Sequence, residues 1–176
     1  MNEMLKQKFI GGFIFAMFIP LILTAQDKQG KMANYDYPWK KHRLMVKLNP
    51  DWKVAKVTPE KMVASSKDLN LELTPWTQGG ASSKAITQGA IKSMKGIGKG
   101  VILNEQNRGE KRGFSQHLVF TQYKGKDTQY FVLVGLKDPR SSKRILAKFH
   151  WKGNKGISAK MQKVYAILDG FEKLSK

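Results

Sequence analysis

Residues 113–151 read GFSQHLVFTQYKGKDTQYFVLVGLKDPRSSKRILAKFHW, and this stretch decides the fold. It breaks at Gly125-Lys126-Asp127 and at Asp138-Pro139-Arg140. Glycine and aspartate tolerate the tight backbone of a turn and proline presets one of its dihedrals, so both breaks read as hairpin connections. Between them lie strands predicted at about 113–123, 129–137 and 143–151, rich in Val, Phe, Tyr and Leu. Connections this short join strands that run in opposite directions, so the sheet is expected to be antiparallel. Tyr130 to Leu136 is apolar at nearly every position, as in a strand covered on both faces. Ile145, Ala147, Phe149 and Trp151 instead alternate with Leu146, Lys148, His150 and Lys152. The first strand is therefore expected centrally and the second nearer an edge.

Working upstream, a strand is predicted at about 100–107, with Gly109 and Gly113 flanking the turn that follows it. Before it, Ile86, Ala90, Met94 and Ile97 recur at helical spacing, Ser82 or Ser83 is available as a cap, and Gly96, Gly98 and Gly100 end the pattern. These features predict a helix over 83–96. Arg43–Leu48, Trp52–Val57, Met62–Ser66 and the alternating Leu69, Leu71 and Leu73 read as earlier strands, punctuated by Asn49-Pro50-Asp51 and Pro59. Downstream, Met161, Val164, Tyr165, Leu168 and Phe171 form one apolar helical stripe, predicting a closing helix over about 158–174. The fold class is α+β: an antiparallel sheet of six or seven strands packed by these two helices, in one domain over 43–176.

The first 25 residues carry Lys6 and Lys8, then an apolar run from Phe9 to Leu23, then Thr24-Ala25 ahead of the polar Gln26-Asp27. That order is a signal peptide, with cleavage expected after Ala25; an uncleaved membrane anchor is the alternative. Either way the domain is expected outside the cytoplasm, periplasmic or secreted. Residues 26–42 are polar and without period, a flexible lead-in, although Tyr35, Tyr37 and Trp39 could dock on the domain's own surface.

The chain has no cysteine, which excludes a disulfide framework and a thiolate metal site. Lys and Arg number 32 against 13 Asp and Glu, giving a formal charge of +19, or +18 once Lys6, Lys8 and Glu3 leave with the leader. Such an excess attracts polyanions. From Pro139 to Leu168 there are eight cationic residues and no acid, and from Leu73 to Asn104 four and none. The candidate binding face comprises Lys92, Lys95 and Lys99 at helical spacing, Arg108, Lys111 and Arg112 around one turn, and Arg140, Lys143 and Arg144 around another.

Catalytic patterns fail on their geometry. The glycines at 96–100 follow a helix, whose dipole end there is negative, whereas a phosphate loop precedes one. His42, His117 and His150 have no short metal-ligand spacing; His117 and His150 would form a site only if their strands lie close together. Ser115 lacks the strained elbow of a nucleophile, and the scarce carboxylates show no glycosidase pairing. No cofactor is expected.

The LNPDWKV opening at 48–54, the helix over 83–96, the GFSQHLVF strand and the closing AILDGFEKL together resemble the PsbP/DcrB-like superfamily over about residues 43–174. Its members are exported or lumenal single domains with an antiparallel sheet between helices. The resemblance implies an accessory or binding role without enzyme activity, and it carries over no site residue. The expected partner is therefore an envelope protein or an anionic envelope component, with peripheral contact to an anionic membrane surface possible; nucleic acid is not expected. A small-ligand or metal-binding module near His117 and His150 is the alternative, and an enzyme with an unrecognised site ranks third.

Overall fold

A computed structural model describes residues 35–94, 99–125 and 127–175. The leader, the lead-in as far as residue 34, and Lys95 lie outside the described residues, as does the side chain of Lys99.

The chain forms β1 (Tyr35–Trp39), a 3-10 turn at Lys40–His42, β2 (Leu44–Leu48), β3 (Lys53–Val57), β4 (Met62–Ser65) and β5 (Asn70–Pro75). Helix α1 (Ser83–Ser93) is followed by β6 (Lys99–Lys111), β7 (Phe114–Lys124), β8 (Thr128–Lys137), β9 (Arg144–Lys152), α2 (Ile157–Asp169) and β10 (Glu172–Lys173). The large sheet has seven strands in the order β3-β4-β5-β9-β8-β7-β6, and its neighbouring pairs are all antiparallel. A second sheet is built from β1, β2 and β10.

Both faces of the large sheet carry apolar clusters. On one, Val132, Val134 and Leu136 of β8 and Ala147 and Phe149 of β9 pack with Leu44, Val46 and Leu48 of β2 and with Val164 and Leu168 of α2. On the other, Phe131 and Leu133 of β8 meet Ile86, Ala90 and Met94 of α1. β8 therefore needs apolar residues in both phases of the pleat, as its sequence predicts. Ser82 caps α1 by accepting from the Ala85 amide at 3.1 Å. Between β6 and β7, Arg112 (φ 48°) and Gly113 (φ 86°) make the two-residue turn with both φ values positive that matches strand twist.

Four expectations change. β9 lies at the centre of the sheet and not near an edge, because β5 pairs with its second side, setting Leu71 opposite Phe149 and Leu73 opposite Ala147. Its polar phase arises because α1 covers only part of that face, reaching Leu146 and leaving Lys148, His150 and Lys152 beyond it. Residues 35–42 of the lead-in are built into the fold. Trp39 is 2% exposed and its Nε1 donates to the Thr58 carbonyl at 2.6 Å, while Pro38 is tolerated because β1 is an edge strand. The strand after Arg43 belongs to the small sheet. The closing helix stops at Asp169, and Phe171 reaches the core from beyond it as the chain turns to pair β10 with Met45 and Leu44.

Candidate functional site

The hairpin turns that end β6 and β8 lie side by side, because Ser115 is opposite Lys137 in the β7–β8 ladder. Lys173 of β10 ties them together. Its amide donates to the Arg112 carbonyl at 3.1 Å and its Nζ to Asp138 Oδ1 at 2.7 Å. Arg112, Arg140, Lys143 and Arg144 are thus gathered at one end of the sheet. Arg112 and Arg140 are exposed. Lys143 reaches the Lys41 carbonyl at 2.9 Å and Arg144 the Gly80 carbonyl at 2.6 Å, which binds the β8–β9 turn to the neighbouring loops.

Arg112 also lines a cavity of about 480 Å3 between the end of α2 and β2, together with Lys47, Asn49, Trp52, Lys163 and Asp169 among others. Asn49 and Trp52 of its wall flank the turn that is closed by the Trp52 amide donating to the Asn49 carbonyl at 3.1 Å. At its rim Asp169 takes Arg108 at 2.6 Å and Lys111 at 3.7 Å, and Glu172 takes Lys47 at 3.0 Å and Arg112 at 3.9 Å. Four cations share two carboxylates, so the rim stays positive. The hydrogen bond from Lys47 holds the Glu172 carboxyl below its ordinary range.

Arg108 has a different setting from its neighbours. Its side chain is 8% exposed, lies 5.4 Å from the Tyr165 ring centroid and donates to Gln116 Oε1 at 3.0 Å. Lys92 lies at the other end of the sheet. It is exposed on the last turn of α1, whose Met94 packs with Tyr123, and Tyr123 stands opposite Gly100 at the start of β6. The thirteen residues of β6 separate it from Arg112, roughly 40 Å at strand rise. Among the described residues, the basic side chains of the candidate face therefore fall into two groups and not one. Lys47, Lys163 and Lys173 were missed in sequence because they join the site from elements far apart in the chain; the only sequence signal was the outward phase of Lys47 on its strand.

The two strand histidines are kept apart. His117 lies opposite Gly135, and Gly135 opposite Leu146, four residues before His150. That spacing is roughly 13 Å along the strand and about 10 Å across it. Among the described residues no group of three or more His, Asp and Glu could hold a metal ion. His117 instead joins Thr87 Oγ1 at 2.8 Å and Glu105 Oε1 at 3.0 Å. Hydroxyl, imidazole and carboxylate stand in the order of a nucleophilic triad. Thr87 is 0% exposed and donates to the Lys84 carbonyl at 2.9 Å, so its oxygen faces protein and not substrate. Burial pushes the His117 pKa down against the opposing pull of Glu105. Burial also lowers the His150 pKa, helped by Lys148 and Lys152. His150 stacks on Phe131 with ring centroids 4.6 Å apart, beside a groove of about 300 Å3 also lined by Glu72 and Gln129.

No protein-family profile matches the chain, and no curated protein does. Solved structures share its architecture. Cyanobacterial PsbP (CyanoP) from Synechocystis sp. PCC 6803 superposes with a TM-score of 0.55 at 12% identity, over 83% of this chain and 95% of that one. The fold is PsbP-like. The Saccharomyces cerevisiae Ran-binding protein Mog1p has it too, with a TM-score of 0.61 at 9% identity, over 82% of this chain and 97% of that one. The sheet between two helices expected of a PsbP-like chain is present, with the three-stranded sheet sharing the α2 side.

Proposed function

We propose that this protein is an exported, non-enzymatic accessory protein of the cell envelope that binds an anionic protein partner through the basic end of its sheet. One observation carries the reading: Arg112, Arg140 and Lys143, from two separate hairpin turns, are brought together by Lys173 beside a cavity whose rim holds four cations to two carboxylates. Two kinds of support stand beside it. The leader order at 1–25 accords with export, and the shared fold occurs in a protein described as Ran-binding.

The test is capture from envelope extract at low and moderate salt, comparing the protein with an Arg112→Glu/Arg140→Glu/Lys143→Glu variant and with Lys155→Glu, a change at an exposed residue between β9 and α2. A partner that is lost with added salt and with the triple reversal, yet kept by Lys155→Glu, is the expected result. Retention by the triple reversal overturns the reading.

The groove beside Phe131 and His150 favours a second reading, a small-ligand module. Loss of a defined ligand's binding on His150→Ala, with partner capture unaffected, would select it.

A further inference from the structure

β6 is one of the two edge strands of the seven-stranded sheet: β7 pairs with one side, and among the described residues no strand pairs with the other. On it Val101, Ile102 and Leu103 are 45%, 51% and 45% exposed. Val101 and Ile102 stand opposite Gln122 and Thr121 and so point to opposite faces, which leaves both faces bare at this point. The irregularity between Ile102 and Asn104 leaves Leu103 without an opposite residue in β7. Edges template another strand and are usually blunted by charges or by bulges; the irregularity at Leu103 is the only such device within residues 100–104. Here the blunting charges are absent from the apolar stretch itself.

Backbone chemistry and charge say what covers it. A lipid surface would take the outward N–H and C=O groups of the edge out of water with nothing to bond them, whereas an added strand satisfies them. The charges around this half of β6 are mostly cationic. Lys92 and Lys124 are exposed, and Lys124 stands opposite Lys99. The nearest acid on the strand, Glu105, is already engaged by His117 at 3.0 Å and Lys84 at 3.6 Å. A second copy would bring together two chains that each carry a formal charge of +19.

We propose that the β6 edge accepts an extended segment of a partner protein as an eighth strand, its apolar centre lying along Val101–Leu103 and its flanking acidic residues facing Lys92 and Lys124. This rests on the reading that the protein binds a protein partner, but it concerns the opposite end of the sheet from Arg112 and Arg140.

The test uses the full chain and two blocked synthetic peptides with the same valine-rich centre, one flanked by aspartates and one by lysines. The aspartate peptide is expected to bind, to slow amide exchange across residues 100–104, and to weaken about tenfold in the Lys92→Glu/Lys124→Glu variant. Ile102→Lys, and the harsher Val101→Lys/Ile102→Lys/Leu103→Lys, are expected to abolish binding while leaving the thermal midpoint close to that of the parent. Equal binding of both peptides, or binding without protection at 100–104, overturns the proposal. So does a dimer in sedimentation velocity that Ile102→Lys dissolves, which would make the occupant a second copy. So does co-sedimentation with phosphatidylglycerol vesicles that the triple variant loses. Should the triple edge variant still capture the envelope partner while the parent fails to bind the aspartate peptide, this inference falls and the basic-end reading stands; should the parent capture no partner yet bind the peptide with protection, the reverse holds.

Discussion

Lys173 Nζ sits 2.7 Å from Asp138 Oδ1, joining the two-residue strand β10 to the turn between β8 and β9. Asp138 is 1% exposed. Burial alone would raise its pKa, but the Lys173 ammonium, the Arg140 amide and the Ser141 hydroxyl outweigh burial and hold it at about 2, against an ordinary 3.8. A depressed carboxyl contributes stability that is full above its unfolded pKa and lost as pH falls through the folded one. Asp138→Asn is therefore expected to cost about 2 kcal/mol at neutral pH. Urea unfolding of both proteins should show the gap closing as pH drops from about 4 to about 2. A gap constant with pH would show that the carboxylate's charge is not what matters.

His117 sets an acid dependence in a higher range. Its folded pKa is lowered, first by burial, so the unfolded chain takes up a proton before the folded one does. Stability should then fall as pH drops below the unfolded value of about 6.5, and His150 acts with the same sign. His117→Gln is expected to flatten this part of the urea-midpoint profile, and adding His150→Gln to flatten it further. An unchanged slope in the double variant would place the titration elsewhere.

Gly135 is where α1 comes closest to the sheet. A Cβ added there would overlap the Ser83 carbonyl oxygen and stand 3.0 Å from Ile86 Cβ. These belong to the first turn of α1 and to the apolar cluster beneath it, so neither can move without shifting the helix. Gly135→Ala should cost about 3 kcal/mol, read from the urea midpoint. A cost within about 0.5 kcal/mol would mean that α1 rides loosely on β8.

The strands and helices were legible because their periods differ and their turns carry glycine and proline. The continuous apolar run of β8 reported its coverage correctly, but the alternation of β9 reports coverage of a face and not position in the order. Only the pairing of Leu71 with Phe149 reveals that β9 is central. Trp39 reads in sequence as a docking aromatic, yet the strand it anchors does not show there, since a short edge strand interrupted by Pro38 has almost no pattern of its own. The basic site was legible only as charge in two turns. Lys173 and Lys47, which connect and extend it, stand in sequence beside unrelated residues.

Arg108 separates structural from binding cations within one turn's reach. Gln116 is fully buried, its Nε2 has no hydrogen-bond partner among the described residues, and its Oε1 accepts from Arg108 Nη1 at 3.0 Å. Removing the guanidinium would leave the whole amide unpaired and strip a stacked cation from Tyr165. Arg108→Met should therefore cost about 2 kcal/mol, and Arg108→Lys should recover only part, because an ammonium cannot fork between Gln116 and Asp169. Arg108→Met/Gln116→Met should be more stable than Arg108→Met alone, since it removes the orphaned amide with its partner. Arg112→Ala and Arg140→Ala, both exposed, should instead leave the urea midpoint within about 0.5 kcal/mol of the parent while weakening partner capture. If Arg108→Met proved as harmless to folding as Arg140→Ala, the Gln116 bond would be dispensable, and Arg108 would rejoin the residues available to a partner.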